Sequence, residues 1–313
     1  MNNKVKSLEV NGEFLNSHSA VPFTLNKKTT GEYIYSWNIA PRFFPDDMKD
    51  APIRIKYLMD NSHKVGLDDL AMPDQPTGDK LIEDCHEITY EDFVEYFNSD
   101  VYKKQGTIWN VDKNYNSIFM KKDVHDRVLE EFGRGVSLVF PAADCAVVRF
   151  YDKNHNVIGL THSDAAHTTG NIIGKSIAYM KERFNTSIDD LEVYISAFAS
   201  DGWTYDSLPS FASNGEELND EWKHYVVFRD DKYLINYGDK IYDQLEEAGI
   251  DMNLVFFDPD NTLFNDDYFS NSRSYNSRVD GIPTYREGRN MMGITFDTDE
   301  LVRNADENNV ILR

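Results

Sequence analysis

The chain has 313 residues, 41% of them hydrophobic and 13% aromatic, the composition of one or two globular domains rather than of a disordered polymer. Its formal net charge of -22 repels nucleic acid and anionic lipid, which counts against both as partners. Two cysteines, Cys85 and Cys145, are too few for a disulfide framework; no stretch reaches the roughly 20 apolar residues that span a bilayer, and MNNKVKSLEVNGEF holds no apolar core of signal-peptide length, so a cytoplasmic protein with reduced thiols is expected.

The first predicted element is a helix from Ile53 to Val65. Ile53, Tyr57, Leu58 and Asn61 recur at helical spacing, Pro52 suits a first turn and Gly66 a stop. Residues 79–132 hold two short amphipathic helices, TYEDFVEYF and DVHDRVLEEF, around a polar connection, and read as an insertion on a single main domain. Three strands follow, VSLVFPAADC, AVVRFY and VIGLTH, the last two joined by the turn DKNHN. A helix then carries Ile173, Ile177, Met180 and Phe184 on one face, with Thr168 or Thr169 as its cap. LEVYISAFA is a strand, a polar stretch intervenes, and a helix over YGDKIYDQLEEAG leads to strands at NLVFFD and MMGITF. Strands and helices interleave, which predicts an α/β fold of layered sheets flanked by helices.

The hairpin around DKNHN carries the chemistry. A turn centred on Lys153 and Asn154 sets Cys145 directly opposite His162, with β-carbons about 5 Å apart. A thiolate and an imidazole at that separation share a metal or form a nucleophile–base pair; a one-residue slip would turn one of them to the other face. A buried structural cysteine beside a hydrogen-bonded histidine fits the same pattern. The helix start near Thr169, with Gly170 and Gly174, offers free backbone N–H groups to an anion.

These residues resemble the laccase-domain family. AADC followed by a strand ending THSDAA is similar to the family's Ala-Asp-Cys and the His-Ala-Gly-Trp-Arg-Gly segment that closes its hairpin. TTGEYIYSWNIA, API with Arg54, MPDQPTGDKL, LEVYISAFASDGWTY, and DDYFSNSR through YREGRN resemble, in order, further family segments over most of the chain. The resemblance implies an α/β fold and a metal held by two histidines and a cysteine, zinc by its chemistry with copper as the other choice. It also implies phosphorolysis of a purine nucleoside, with phosphate as co-substrate and adenosine deamination as a side activity.

Matched residue by residue, Cys145 and His162 are the family's ligands, but Thr77 stands where the family has its other histidine. A threonine hydroxyl is a poor zinc ligand, so His86 or His167 is the expected substitute, with His86 the first choice. The arginine of the family's Gly-Trp-Arg is also gone, because Asp164, Ala165 and Ala166 follow Ser163. Arg54 and Arg278 are expected to hold the phosphate co-substrate and Arg289 to act at the reacting centre, since guanidinium groups bind phosphate bidentately. Three functions remain open: a zinc-dependent purine nucleoside phosphorylase or deaminase acting as monomer or homodimer, a non-catalytic relative that binds a ligand or partner, and a cysteine–histidine hydrolase.

Overall fold

The computed structural model describes residues 85–98, 108–133, 135–201, 203–265, 268–273 and 290–296, together with strands at 6–10, 21–25, 34–39, 69–74 and 311–312. The helix expected at 53–65, Thr77, Arg54, Arg278 and Arg289 lie outside the described residues.

Two large sheets dominate. The first has eight strands in the order β19 (Ile311–Leu312), β1 (Lys6–Val10), β2 (Val21–Leu25), β3 (Ile34–Ile39), β18 (Asn290–Phe296), β8 (Val136–Ala142), β4 (Asp69–Asp74) and β6 (Ile108–Asn114). The second has six, in the order β17 (Val255–Phe257), β11 (Leu191–Ile195), β9 (Ala146–Asp152), β10 (Val157–Ser163), β7 (Ser117–Lys121) and β5 (Cys85–Glu87). A three-stranded sheet of β12 (Trp203–Tyr205), β16 (Lys232–Ile235) and β15 (Val226–Arg229) and a two-stranded ladder of β13 (Ser213–Asn214) and β14 (Glu217–Leu218) fill the stretch that reads as polar loop in the sequence. Within residues 79–132, β5 and β7 belong to the second sheet and β6 to the first, so these strands are woven into the main layers. The two helices expected there are present as α1 (Tyr90–Asn98) and α2 (Lys122–Phe132).

Every residue of β8 in the first sheet and of β9 and β10 in the second is buried, and the second sheet is covered on both faces. One face packs Val147, Tyr151, Ile158 and Leu160 against Leu138, Phe140, Met292 and Ile294 of the first sheet. The other packs Val148, Phe150 and Val157 against Ile173, Ile177 and Met180 of α4 (Ile172–Phe184) and Ile241 and Leu245 of α5 (Tyr237–Glu247). Period-two alternation thus sends odd residues of β9 to the intersheet layer and even ones to the helices. At Gly159 the ring of Phe119 occupies the place of a side chain: a β-carbon there would lie 2.6 Å from Phe119 Cδ1.

The expected helix after THSD is two helices. α3 (Ala165–Thr169) is capped by Asp164, whose side chain accepts from the His167 N–H. α4 is capped by Asn171, at φ 53°, whose side chain accepts from the Gly174 N–H. Thr168 and Thr169 are therefore not the caps. Thr168 is buried, and its hydroxyl meets Ser163 Oγ at 2.7 Å and Tyr237 Oη at 2.8 Å.

Candidate active site

β9 and β10 form the predicted hairpin in a register one step further along each strand. Asp152 pairs with Val157, His162 with Val147 and Ser163 with Ala146. The loop is the four residues Lys153 to Asn156, so its centre falls between Asn154 and His155. Asp152 stabilises that longer loop, since its Oδ1 accepts from the N–H groups of Asn154 and His155, both at 3.0 Å. Cys145 consequently stands at the mouth of the hairpin, across from Asp164 rather than from His162. The direct opposition expected from the sequence does not occur. Because the shift moves both residues, Cys145 and His162 stay on the same face as diagonal neighbours, at the roughly 7–8 Å typical of that relation.

That face is the intersheet layer. The His162 ring is buried and stacks on Phe140 of the first sheet, centroids 5.8 Å apart. Its backbone N–H donates to Asn116 O at 2.8 Å. Cys145 is half-buried, reduced, and packed against the same core.

Asp144 sets the cysteine. It sits at φ 80°, a left-handed conformation that aspartate tolerates better than most residues. Its carboxylate is buried and gathers the distant C-terminal loop: Thr262 Oγ1 donates to Oδ1 at 2.8 Å, while Ser270 Oγ at 3.0 Å and the Ser272 N–H at 2.7 Å donate to Oδ2. Its carbonyl accepts from the Ala199 N–H. The aspartate of AADC is therefore the tie between the hairpin mouth and residues 262–272. Sequence reading missed this role, because the partners at 262–272 lie more than a hundred residues away.

Asp164 lies between two imidazoles. Its Oδ1 accepts from His167 Nδ1 at 2.7 Å and from the His167 N–H at 2.8 Å. Burial pushes its carboxyl up, but the hydrogen bonds from His167 and the nearby His162 and His167 outweigh this, leaving it below the ordinary carboxylate range. The helix N-terminus expected to receive an anion, the start of α4 beside Gly170 and Gly174, is capped by the Asn171 side chain, which accepts from the Gly174 N–H at 3.1 Å.

Tyr237 closes the back. Its hydroxyl is fully buried and donates to Ser163 O beside His162; burial, then the neighbouring Cys145, push it well above the usual tyrosine range. On the open side, burial and then Cys145 and Asp144 push up the Tyr205 hydroxyl. Tyr205 is also a wall of a cleft of about 530 Å³. Trp203, Phe264 and Arg273 line the same cleft, together with Ser272, whose N–H holds Asp144. Arg273 spends Nη2 on the carbonyl oxygens of Asn265, at 2.9 Å, and Tyr268.

The structure does not bring His86 to this site. His86 is on β5, stacked on Tyr115 with centroids 4.3 Å apart, its Nε2 3.8 Å from the Asp92 carboxylate. β7 and β10 separate β5 from β9, a lateral distance of roughly 14 Å at strand spacing. His167 turns Nδ1 to Asp164. Among the described residues no group of three His, Cys, Asp or Glu side chains is placed to hold a metal ion. Cys145 and His162 are two of the donors that zinc needs, and the described donor set does not amount to a zinc site.

The family described as multi-copper polyphenol oxidoreductase laccase matches residues 107–295, more than half of the chain. This chain belongs to that family. Its laccase-family fold is similar to two solved structures. The hypothetical protein YfiH of Bacillus licheniformis is 16% identical, with a TM-score of 0.60 covering 88% of this chain and 96% of that one. YlmD of Geobacillus stearothermophilus is 14% identical, with a TM-score of 0.57 over 88% and 99%. A shorter stretch of 53 residues is 42% identical to a purine nucleoside phosphorylase of Clostridium acetobutylicum and spans 17% of this chain and 22% of that relative. No helix among the described residues is long and apolar enough to cross a membrane.

Proposed function

We propose that this laccase-family protein binds a purine nucleoside in the aromatic cleft and splits it by phosphorolysis. The observation that carries the reading is the adjacency of cleft and hairpin mouth: Ser272 lines the cleft and its N–H holds the carboxylate of Asp144, the residue before Cys145, and Tyr205 of the cleft wall is within electrostatic reach of both. Aromatic rings with a few polar groups suit a flat heterocycle bearing a sugar. The short stretch shared with a purine nucleoside phosphorylase supports the same substrate class.

In that reaction a phosphate oxygen attacks the anomeric carbon, the bond from that carbon to the base nitrogen breaks, and the leaving base takes a proton. His162, held by its strand and by Phe140 beside the hairpin mouth, is assigned with Cys145 to the reacting centre next to the cleft, and the leaving base takes its proton from water. Asp144 keeps Cys145 and the loop at 262–272 in place around the substrate. Phosphate is the co-substrate, with Arg54, Arg278 and Arg289 as its candidate partners.

The test is incubation with inosine, adenosine or guanosine and inorganic phosphate, with chromatographic detection of free base and ribose 1-phosphate. Product formation that falls sharply in both Cys145→Ala and His162→Ala supports the reading. Absence of phosphorolysis across these nucleosides, with zinc or copper added, overturns it. A chelator-insensitive, Cys145-dependent hydrolysis of esters or amides would replace it with a cysteine nucleophile.

A further inference from the structure

Of the large apolar side chains among the described residues, Phe264 is the most exposed, at 72%. It lines the cleft together with Trp203 and Tyr205 of β12. The rings of those two are engaged. Trp203 meets Tyr205 at 5.7 Å between centroids and Tyr237 edge-on at 5.8 Å, and Tyr205 meets Phe211 edge-on at 5.8 Å. Phe264 meets no ring among the described residues. A single exposed phenylalanine is ordinary on a protein surface; this one differs in lining the cleft and in how its backbone is held.

The turn at 261–264 is fixed from several sides. Asn261 forms an isolated parallel bridge with Phe198, and its amide donates to Asp201 Oδ1 at 2.6 Å and to Ser200 Oγ at 3.1 Å. Its side-chain oxygen accepts from the Leu263 N–H at 2.9 Å, and its carbonyl accepts from the N–H groups of Phe264 and Asn265 at 3.1 and 3.0 Å. The Thr262 N–H donates to Phe198 O at 3.1 Å, and the Thr262 hydroxyl donates to Asp144. The backbone that presents the ring is therefore set before any ligand arrives. Binding on that ring has no loop to order, which removes one of the main costs of association.

We propose that Phe264 is the stacking platform for the base of the nucleoside. The inference rests on the nucleoside reading of the cleft and assigns within it the residue that favours a purine. Thr262, two residues before Phe264, donates to one oxygen of Asp144, and the Ser272 N–H on the cleft wall donates to the other. One carboxylate thus holds both the turn that bears the ring and a second wall of the cleft, beside Cys145. A base on Phe264 lies in a cleft whose walls are tied to the reacting centre. A phenyl face attracts any flat π-system, and the attraction grows with the area covered, so a two-ring purine gains more than a one-ring pyrimidine. The ring has no donor or acceptor and does not read substituents on the base edge. Phe264 therefore holds hypoxanthine, guanine and adenine alike and disfavours pyrimidines.

The test is titration calorimetry of the full chain with inosine and with uridine, without phosphate so that no phosphorolysis occurs. Inosine should bind the parent several-fold more tightly than uridine. Phe264→Ala should weaken inosine by roughly five- to a hundredfold, the range of one aromatic stack, and should close most of the gap to uridine. Phe264→Leu keeps apolar bulk without a π face and should resemble Phe264→Ala. Phe264→Trp should bind inosine at least as tightly as the parent. Because the residue is exposed, all three variants should keep the parent circular dichroism and thermal midpoint. A parent that binds neither nucleoside overturns the nucleoside reading and this inference with it. A parent that binds inosine, with Phe264→Ala or Phe264→Leu binding it as tightly, overturns the stacking platform and leaves the nucleoside reading standing. Equal affinity of the parent for inosine and uridine overturns the purine preference assigned to the ring.

Discussion

Replacing Asp144 with alanine and with asparagine separates the hydrogen bonds of this carboxylate from its charge. Alanine removes the acceptor of Thr262 Oγ1, Ser270 Oγ and the Ser272 N–H. The two hydroxyls can rotate towards other acceptors, but the Ser272 N–H cannot, and each donor left buried costs about 1–3 kcal/mol. The left-handed backbone at φ 80° adds about 1 kcal/mol for alanine. The expected loss is about 2–4 kcal/mol, a large part of the roughly 5–15 kcal/mol that holds a domain together. Asparagine can keep both donors on its carbonyl oxygen and turn its amide to Thr262, whose hydroxyl then accepts, so only the charge assistance is lost, about 1 kcal/mol. Urea unfolding followed by circular dichroism measures both differences. Hydrogen exchange at the Ser272 N–H locates them, with protection kept in Asp144→Asn and lost in Asp144→Ala. Equal, small losses in the two variants would refute the idea that this carboxylate ties the C-terminal loop to the hairpin.

Gly159→Ala drives a methyl into the Phe119 ring and should destabilise by about 1–3 kcal/mol; an unchanged thermal midpoint would show that the ring moves aside freely. Tyr237→Phe removes the hydroxyl that donates to Ser163 O and meets Thr168, and should lower stability by about 1–3 kcal/mol in the same unfolding assay. The Asp164 carboxyl is held below its ordinary value, so its contribution is complete above about pH 4 and is lost as pH falls through the folded value. Asp164→Asn should therefore flatten the acid side of a thermal midpoint–pH curve, and a parallel curve would contradict that. Thr77→His should strengthen zinc binding in titration calorimetry by completing a three-ligand set with Cys145 and His162; equal affinity in parent and variant would mean that threonine does not stand at the missing ligand position.

The central strands of the two large sheets were legible because their residues agree at several levels. VSLVF, AVVRF and VIGLT are apolar and β-branched, and the structure buries them on both faces. The hairpin register was not legible, because Asp152 closes a four-residue loop with its own side chain, while DKNHN read as a tight turn. The three-stranded sheet was hidden by the brevity of its strands and by Asp230 and Asp231 standing where Asn-Gly usually signals such a turn. His86 was attractive in sequence through its nearness to the family's histidine segment, but a parallel pairing with β7 carries it to the far edge of the sheet. Cys145 and His162 share a face because period-two alternation survives a shift that moves both residues. The surroundings that give them meaning, Asp144, Tyr205 and Tyr237, come from contacts across long stretches of chain that no local pattern encodes.

The bond from the Ser272 N–H to Asp144 joins residues 128 positions apart. On a ribosome making about 5–20 residues per second, the turn before Cys145 would emerge on the order of ten seconds before its partners. For most of that interval the hairpin, complete by Ser163, carries the cysteine without its clasp, and α4 and the strands around it can dock while the loop that closes the site is still unsynthesised. Assembly of this centre is thus a late event in the birth of the molecule, and a nascent chain arrested before residue 262 would carry the hairpin without its clasp.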